Sequence, residues 1–211
     1  MFKDRKDAGE KLAQALEKYK IENPLVLAIP RGGIEIGCQI AKILGLEFSI
    51  VVVRKLPLPQ NPEAGFGALA EDGSEFVLPY AVDWLNRQQR EEIKKEQNEE
   101  IQRRIKALRK GEPLVPLKNK TVILVDDGIA MGSTMRAAIK LCQNKGVGEL
   151  IVASPVAGPS VADQINRQVD KTVILEIPKF FRAVAQSYQN WHDVSDQEVI
   201  ESLNQLKGNF N

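Results

Sequence analysis

Two adjacent carboxylates, Asp126 and Asp127, are followed at once by Gly128-Ile129-Ala130-Met131-Gly132-Ser133-Thr134. No other stretch of the chain is better suited to chemistry. Carboxylates accept hydrogen bonds from sugar hydroxyls, or sit beside a hydrated Mg²⁺. Gly128 and Gly132 let backbone N–H groups approach a phosphate, and Ser133 and Thr134 add hydroxyl donors. The two acids are themselves anionic and cannot serve the phosphate. One loop thus offers to hold both ends of a ribose phosphate. The bland alternative is an ordinary strand-to-helix turn with an acidic cap.

The flanking residues supply the elements that must position this loop. Val122-Ile123-Leu124-Val125 is apolar and β-prone, and Met135–Lys145 suits a helix. The first N–H groups of a helix lack internal partners and carry the positive end of its dipole, so this junction is an anion seat. The glycines are too close for a P-loop, and no lysine precedes the hydroxyls. The glycine pattern of a dinucleotide fold is also missing. A second junction of the same kind is Leu27-Ala28-Ile29-Pro30-Arg31-Gly32-Gly33. Its glycines expose backbone N–H groups, and Arg31 adds a charged fork suited to phosphate. Arg54 and Lys55 follow a third apolar run and read either as solvated cations or as counter-charges for a ligand.

Stepping along the chain, Asp7 and Glu10 have capping-box spacing before a helix to about Lys20. Strands are expected at Leu25–Ile29, Phe48–Val53, Val122–Val125, Leu150–Ser154 and Val173–Ile177, with helices at 33–44, 135–145 and 160–168. Ser195 and Glu198 form a second capping pair before a last helix to about Lys207. Fully apolar strands alternating with helices indicate an α/β fold, a parallel sheet with helices on both faces. Such sheets bind ligands beyond the carboxyl ends of their strands, where both glycine loops lie. Residues 54–73, rich in proline and glycine, read mainly as a loop, with short strands near 66–70 and 76–78. Residues 83–110 read as a charged helical insertion whose stripe of Ile93, Ile101, Ile105 and Leu108 packs by one face, within the chain or against a second subunit. Phe180, Phe181, Tyr188 and Trp191 read as core, or as a stacking surface for a base.

Composition excludes several classes. The 211 residues fit one domain, residues 1–211, with elaborations. A net charge of +1 gives no global pull toward nucleic acid or an anionic membrane. No apolar run reaches membrane-spanning length and the first residues are no signal peptide, so the expected location is cytoplasmic. Cys38 and Cys142 read as buried fillers, and His192 as structural or exposed.

The run from Val122 to Thr134 closely resembles the phosphoribosyl-pyrophosphate-binding motif of type I phosphoribosyltransferases. Apolar strand, acid pair, small spacers, glycine and two hydroxyls occur in order. The resemblance implies that ribose 5-phosphate passes from phosphoribosyl pyrophosphate to a nitrogen of a nucleobase, with release of pyrophosphate. Asp126 and Asp127 would hold the ribose. The backbone from Gly128 through Ile129, Ala130, Met131 and Gly132, with Ser133 and Thr134, would hold the 5-phosphate. Arg31, Gly32 and Gly33 would hold pyrophosphate in a loop that, in this family, often contains a non-proline cis peptide. Mg²⁺ would be bound mainly through the substrate, with Asp126 and Asp127 nearby. Arg54-Lys55 before Leu56-Pro57-Leu58-Pro59 looks like the corresponding segment of adenine phosphoribosyltransferases, with Arg54 and Lys55 neutralising the leaving group. Residues 54–73 resemble in position the family's mobile lid, in which Glu63 is an acid–base candidate. Residues 178–211 correspond to the hood over the base, and a homodimer is the expected assembly. Met131 departs from the family's usual threonine. Ala130 replaces the aspartate of hypoxanthine-guanine enzymes, as in adenine enzymes, which makes a purine the first choice. The alternative is a regulator that keeps the pocket as a sensor and binds RNA or DNA.

Overall fold

The computed structural model describes residues 1–81 and 83–208. In chain order the elements are α1 (Arg5–Leu16), β1 (Leu25–Ala28), α2 (Gly32–Leu44), β2 (Phe48–Ile50), β3 (Val53–Leu58), β4 (Asn61–Ala70) and β5 (Glu75–Val77). There follow α3 (Arg87–Arg109), β6 (Thr121–Val125), α4 (Ser133–Asn144), β7 (Glu149–Val156), α5 (Pro159–Asn166), β8 (Lys171–Glu176) and α6 (Asp196–Gly208).

The main sheet has the order β2-β1-β6-β7-β8, and every pair is parallel. This is the expected α/β architecture. The inner strands β1 and β6 are almost wholly apolar and buried because both faces are covered. The edge strand β8 is half-buried and carries Lys171, Thr172 and Glu176. Val26, Ala28, Ile123, Val125, Ile151 and Ala153 join a core with residues of α1, α2 and α6. Their alternates Leu25, Leu27, Val122, Leu124, Leu150 and Val152 join residues of α4 and α5 in a second core. Strand alternation divides the two sets. β1 and β6 lie side by side inside the sheet, so their carboxyl ends are neighbours.

The run expected as one strand, Phe48–Val53, is broken. β2 ends at Ile50, and Val52 N–H donates to the Glu71 carboxylate at 2.9 Å. Glu71 pairs with Arg109, whose Nη1 also donates to the Ile50 carbonyl at 2.9 Å. The chain then enters a separate antiparallel sheet of order β3-β4-β5. Residues 54–73 are therefore mostly strand, not loop. Proline and glycine hid the pattern: Pro57 sits on an edge strand at a register shift, where its missing N–H costs little.

α3 begins at Arg87, four residues after the expected start, and its N-cap Asn86 forms a capping box with Gln89. Its stripe is used within the chain: Ile93, Ile101 and Leu108 are buried in the same core as Leu56 and Phe66 of the small sheet. α1 is capped by Asp4 rather than Asp7, Asp4 Oδ1 accepting from Asp7 N at 2.9 Å. Asp7 instead accepts from Lys11 Nζ at 2.8 Å. The Ser195–Glu198 box forms as expected. α6 packs on α2, burying Val199 and Leu206. Among the described residues no helix is long and apolar enough to cross a membrane.

Candidate active site

β6 carries the acid pair to the carboxyl edge of the sheet. Asp126 Oδ1 accepts from Asp127 N at 2.9 Å, which fixes the two carboxylates relative to each other. Burial pushes the Asp126 carboxyl well above its ordinary range, and the neighbouring Asp127 charge pushes it further. Burial also raises Asp127, against the opposing pull of the Arg5 guanidinium. Arg5 Nε donates to Asp127 Oδ2 at 2.8 Å.

The two glycine loops interlock. Ile29 N–H donates to the Val125 carbonyl at 2.9 Å, joining the strand ends. A side chain at Gly32 would collide with Asp127 Oδ2. A Cβ at Gly33 would lie 2.8 Å from the Val125 carbonyl and 3.0 Å from Asp126 Cα. Gly32 and Gly33 thus admit the acid pair against the second loop, beyond any exposure of their own amides. The Pro30–Arg31 peptide is cis, as the resemblance implied. Arg31 precedes α2 and points toward Asp196, at 3.9 Å.

After the acids the chain turns over Gly128, whose Cα is covered by Val184. Ile129 is buried, and its N–H already donates to the Val156 carbonyl at 2.9 Å. It anchors the loop to β7, which removes its amide from the set expected to serve a phosphate. Ala130 and Met131 face solvent, and Gly132 takes φ +73° to lead into α4. No side chain caps α4, so the first turn, with Ser133 and Thr134, opens toward the loop. The loop is held from below by Arg136, buried, whose Nη1 donates to the Met131 carbonyl at 2.8 Å and whose Nη2 donates to Gln164 Oε1 at 2.5 Å. Nothing in the local motif marks Arg136 for this role.

Arg54 and Lys55, neighbours in β3, point to opposite faces, as strand alternation demands. Arg54 donates to Gln97 Oε1 at 3.2 Å and lies in the field of Arg104, Arg31 and Arg103. Burial, and after it the Arg104 charge, holds its guanidinium below the usual value. Lys55 lies along Gly65 on the other face. The two side chains therefore diverge, and Arg54 shares the field of Arg31. The side chain of Glu63 lies outside the described residues.

Of the C-terminal aromatics, Phe181 lies over Gly158, which also borders the Ala130 carbonyl of the acid-pair loop. Phe180 is exposed. Tyr188 is core, its hydroxyl donating to the Asp127 carbonyl at 2.6 Å. Trp191 stacks on Arg5. Cys38 and Cys142 are buried, with burial pushing each thiol up to about 12. His192 is exposed and bonds to Glu198 at 2.9 Å.

Comparison with known proteins bears on this geometry. A putatively named phosphoribosyl transferase of Mycobacterium tuberculosis is 34% identical over 212 residues, covering all of this chain and 48% of that protein. The chain therefore spans about half the length of the curated relatives it matches. The crystal structure of TT1426 from Thermus thermophilus is 34% identical, with a TM-score of 0.80, over 98% of this chain and 99% of that one. A transcriptional regulator, GfcR of Methanosphaera stadtmanae, is 40% identical over 50 residues, 24% of this chain and 25% of that one. The model of the phosphoribosyl transferase domain matches residues 3–189, from just before Arg5 to just after Tyr188, and the chain belongs to that family.

Proposed function

We propose that this domain is an enzyme that transfers ribose 5-phosphate from phosphoribosyl pyrophosphate to a ring nitrogen of a purine, releasing pyrophosphate. The observation that carries the proposal is the interlock of two anion-ready loops at adjacent carboxyl ends, with Asp126 and Asp127 seated against Gly32 and Gly33. That arrangement supports a ribose on the acid pair, a 5-phosphate on Gly128, Ala130, Gly132, Ser133 and Thr134, and a pyrophosphate on Arg31, Gly32 and Gly33.

The anomeric carbon loses pyrophosphate through an oxocarbenium-like state. Catalysis then consists of holding base and sugar in line and stabilising the charge that develops on the leaving group. Arg31 and Arg54 are the cations assigned to that charge, and Lys55 follows only through movement of the hairpin. Two carboxyl groups stand beside one guanidinium at the acid pair, and their oxygens are the kind of donor that suits a hard divalent cation. Mg²⁺ is proposed to bind mainly through the substrate, with Asp126 and Asp127 nearby. When bound, Mg²⁺ would neutralise charge between pyrophosphate and sugar hydroxyls. The β3–β4 hairpin is assigned as the lid and Phe181 as a surface for the base. A cytoplasmic homodimer completes the proposal.

The test is pyrophosphate release from phosphoribosyl pyrophosphate and Mg²⁺ with a panel of purines, pyrimidines and related heterocycles. Release with adenine, hypoxanthine, guanine or xanthine is expected. The short match to a transcriptional regulator favours one second reading, a sensor that binds RNA or DNA. No release with any base, together with a nucleic-acid affinity that shifts on adding phosphoribosyl pyrophosphate, would replace the enzyme by the sensor.

A further inference from the structure

Arg5 belongs to neither glycine loop, yet it reaches both. It sits in the first turn of α1 and is 4% exposed. Its Nε donates to Asp127 Oδ2 at 2.8 Å, and its Nη1 donates to the His192 carbonyl at 2.9 Å. Its guanidinium carbon lies 4.0 Å from the centre of the Trp191 ring. A Cβ at Gly32 would lie 3.1 Å from the same Nε, so the guanidinium also borders the backbone of the second loop.

The surroundings make this placement rigid. Phe2 N donates to the Ser187 carbonyl at 2.7 Å, Gln189 N to the Phe2 carbonyl at 2.8 Å, and Asn190 N to the Lys3 carbonyl at 2.9 Å. Residues 2–3 and 187–190 are thereby tied together by their backbones. The Tyr188 ring packs between Phe2 and Trp191. Asp127 is consequently gripped twice from this unit: Arg5 holds its carboxylate, and the Tyr188 hydroxyl holds its carbonyl at 2.6 Å.

A buried cation is an expensive way to fill space, and an apolar side chain of similar volume packs at least as well. What a guanidinium adds is direction, because its planar fork fixes the partner it bonds. Asp126, by contrast, accepts from a backbone amide, that of its neighbour, at 2.9 Å. We propose that Arg5 is a positioning residue: it holds the Asp127 carboxylate over Gly32 in the orientation that receives the ribose hydroxyls, an assignment that rests on the sugar-diphosphate function proposed above. The ribose and pyrophosphate subsites then keep one fixed separation, set from α1.

Calorimetry on the whole chain tests this with two probes, phosphoribosyl pyrophosphate and inorganic pyrophosphate, each with Mg²⁺. The second probe carries no ribose. Arg5→Met is expected to weaken the first by about tenfold or more, the scale on which misplaced binding groups act, and the second by less than about twofold. Arg5→Lys keeps the charge but not the fork, and should show the same selectivity to a smaller degree. In a double-mutant cycle, Arg5→Met should add little to the loss caused by Asp127→Asn, since the two act as a unit. Circular dichroism reports whether each variant folds. Should Arg5→Met fail to fold, Arg5→Lys decides alone, and affinities equal to the wild type's would overturn the proposal. Equal losses for both probes would make Arg5 a general structural residue and also overturn it. A wild-type chain that binds neither probe removes the proposed function, and this assignment falls with it. A wild type that binds both, with unchanged variants, removes only Arg5.

Discussion

The loops after β1 and β6 and the β3–β4 hairpin all rely on glycine, but they are built differently. The loops leave adjacent interior strands of a parallel sheet, and each is fixed by the other: the acid pair lies against Gly32 and Gly33. The hairpin lies outside that sheet. Its β3 is an edge strand with register shifts around Pro57, and its two cations diverge. The loops are a preformed seat, whereas the hairpin, proposed above as a lid, carries Arg54 toward that seat from a separate sheet. Preorganised groups act without reorganisation during reaction, and a lid trades that advantage for exclusion of water.

The largest expected effect comes from breaking the interlock. In Gly32→Ala the new methyl collides with Asp127 Oδ2, and that carboxylate cannot retreat easily because Arg5 holds it. Both subsites should distort together, with affinity for phosphoribosyl pyrophosphate falling about a hundredfold. Titration calorimetry measures this. A loss confined to about twofold would mean that the loops yield separately and are no single seat.

Neutralising one acid sharpens the same comparison. Asp126→Asn should weaken phosphoribosyl pyrophosphate by about 1.5–3 kcal/mol, the range for a hydrogen bond to a charged group. It should also stabilise the fold at neutral pH. The folded-state value of Asp126 is raised, so the native state binds more protons than the unfolded state above pH 3.8. Stability therefore falls as pH rises from about that value through the raised one, and Asn removes the fall. Melting curves from pH 4 to 8 test the sign: a wild type and variant with parallel profiles would contradict it. The pair is not free of structural duties, however. Replacing Asp127 leaves Arg5 buried without its carboxylate, a change that destabilises where a lone Asp126→Asn does not.

The hairpin should respond less and differently. Arg54→Ala is expected to lower turnover about tenfold with little change in binding of ribose 5-phosphate, and Lys55→Ala to do much less, because the two point apart. Amides of residues 54–65 should gain protection from hydrogen exchange on adding phosphoribosyl pyrophosphate, while those of β6 stay protected throughout. Equal protection of the hairpin in both states would remove the lid.

This contrast also explains what could be read from the sequence. The parallel sheet and both glycine loops were legible because each is local: a fully apolar strand runs straight into its turn residues. The hairpin was not, since Pro57, Pro59, Gly65 and Gly67 erase the alternation that marks strands. Asp4 and Asp7 both suit a helix cap. Asp4 caps, while Asp7 accepts from the Lys3 amide and from Lys11 Nζ, each four residues away, a choice between two local patterns that the spacing alone does not make. Arg5 meets Asp127 across 122 positions, and Tyr188 meets it across 61. No window of sequence contains such pairs. Arg136 is only five residues from Met131, but it lies in a helix whose arginines ordinarily face solvent, and burial alone reveals its role.

The smallest effect concerns the outer rim of the preformed seat. Met131 is half exposed, and its carbonyl is held by Arg136 whatever its side chain. The backbone there should tolerate replacement. Met131→Thr restores a hydroxyl beside the first turn of α4, where Ser133 and Thr134 already face the loop. A well-formed neutral hydrogen bond contributes about 1 kcal/mol, so affinity for ribose 5-phosphate should rise roughly fivefold. The gain is bounded because a β-branched side chain has few rotamers with which to find the phosphate. Calorimetry with ribose 5-phosphate and, separately, inorganic pyrophosphate localises the effect, since only the sugar phosphate should gain. A loss for ribose 5-phosphate would mean that Met131 itself packs on the bound sugar phosphate. The rim would then belong to the seat by apolar contact, where other members of the family use a hydroxyl.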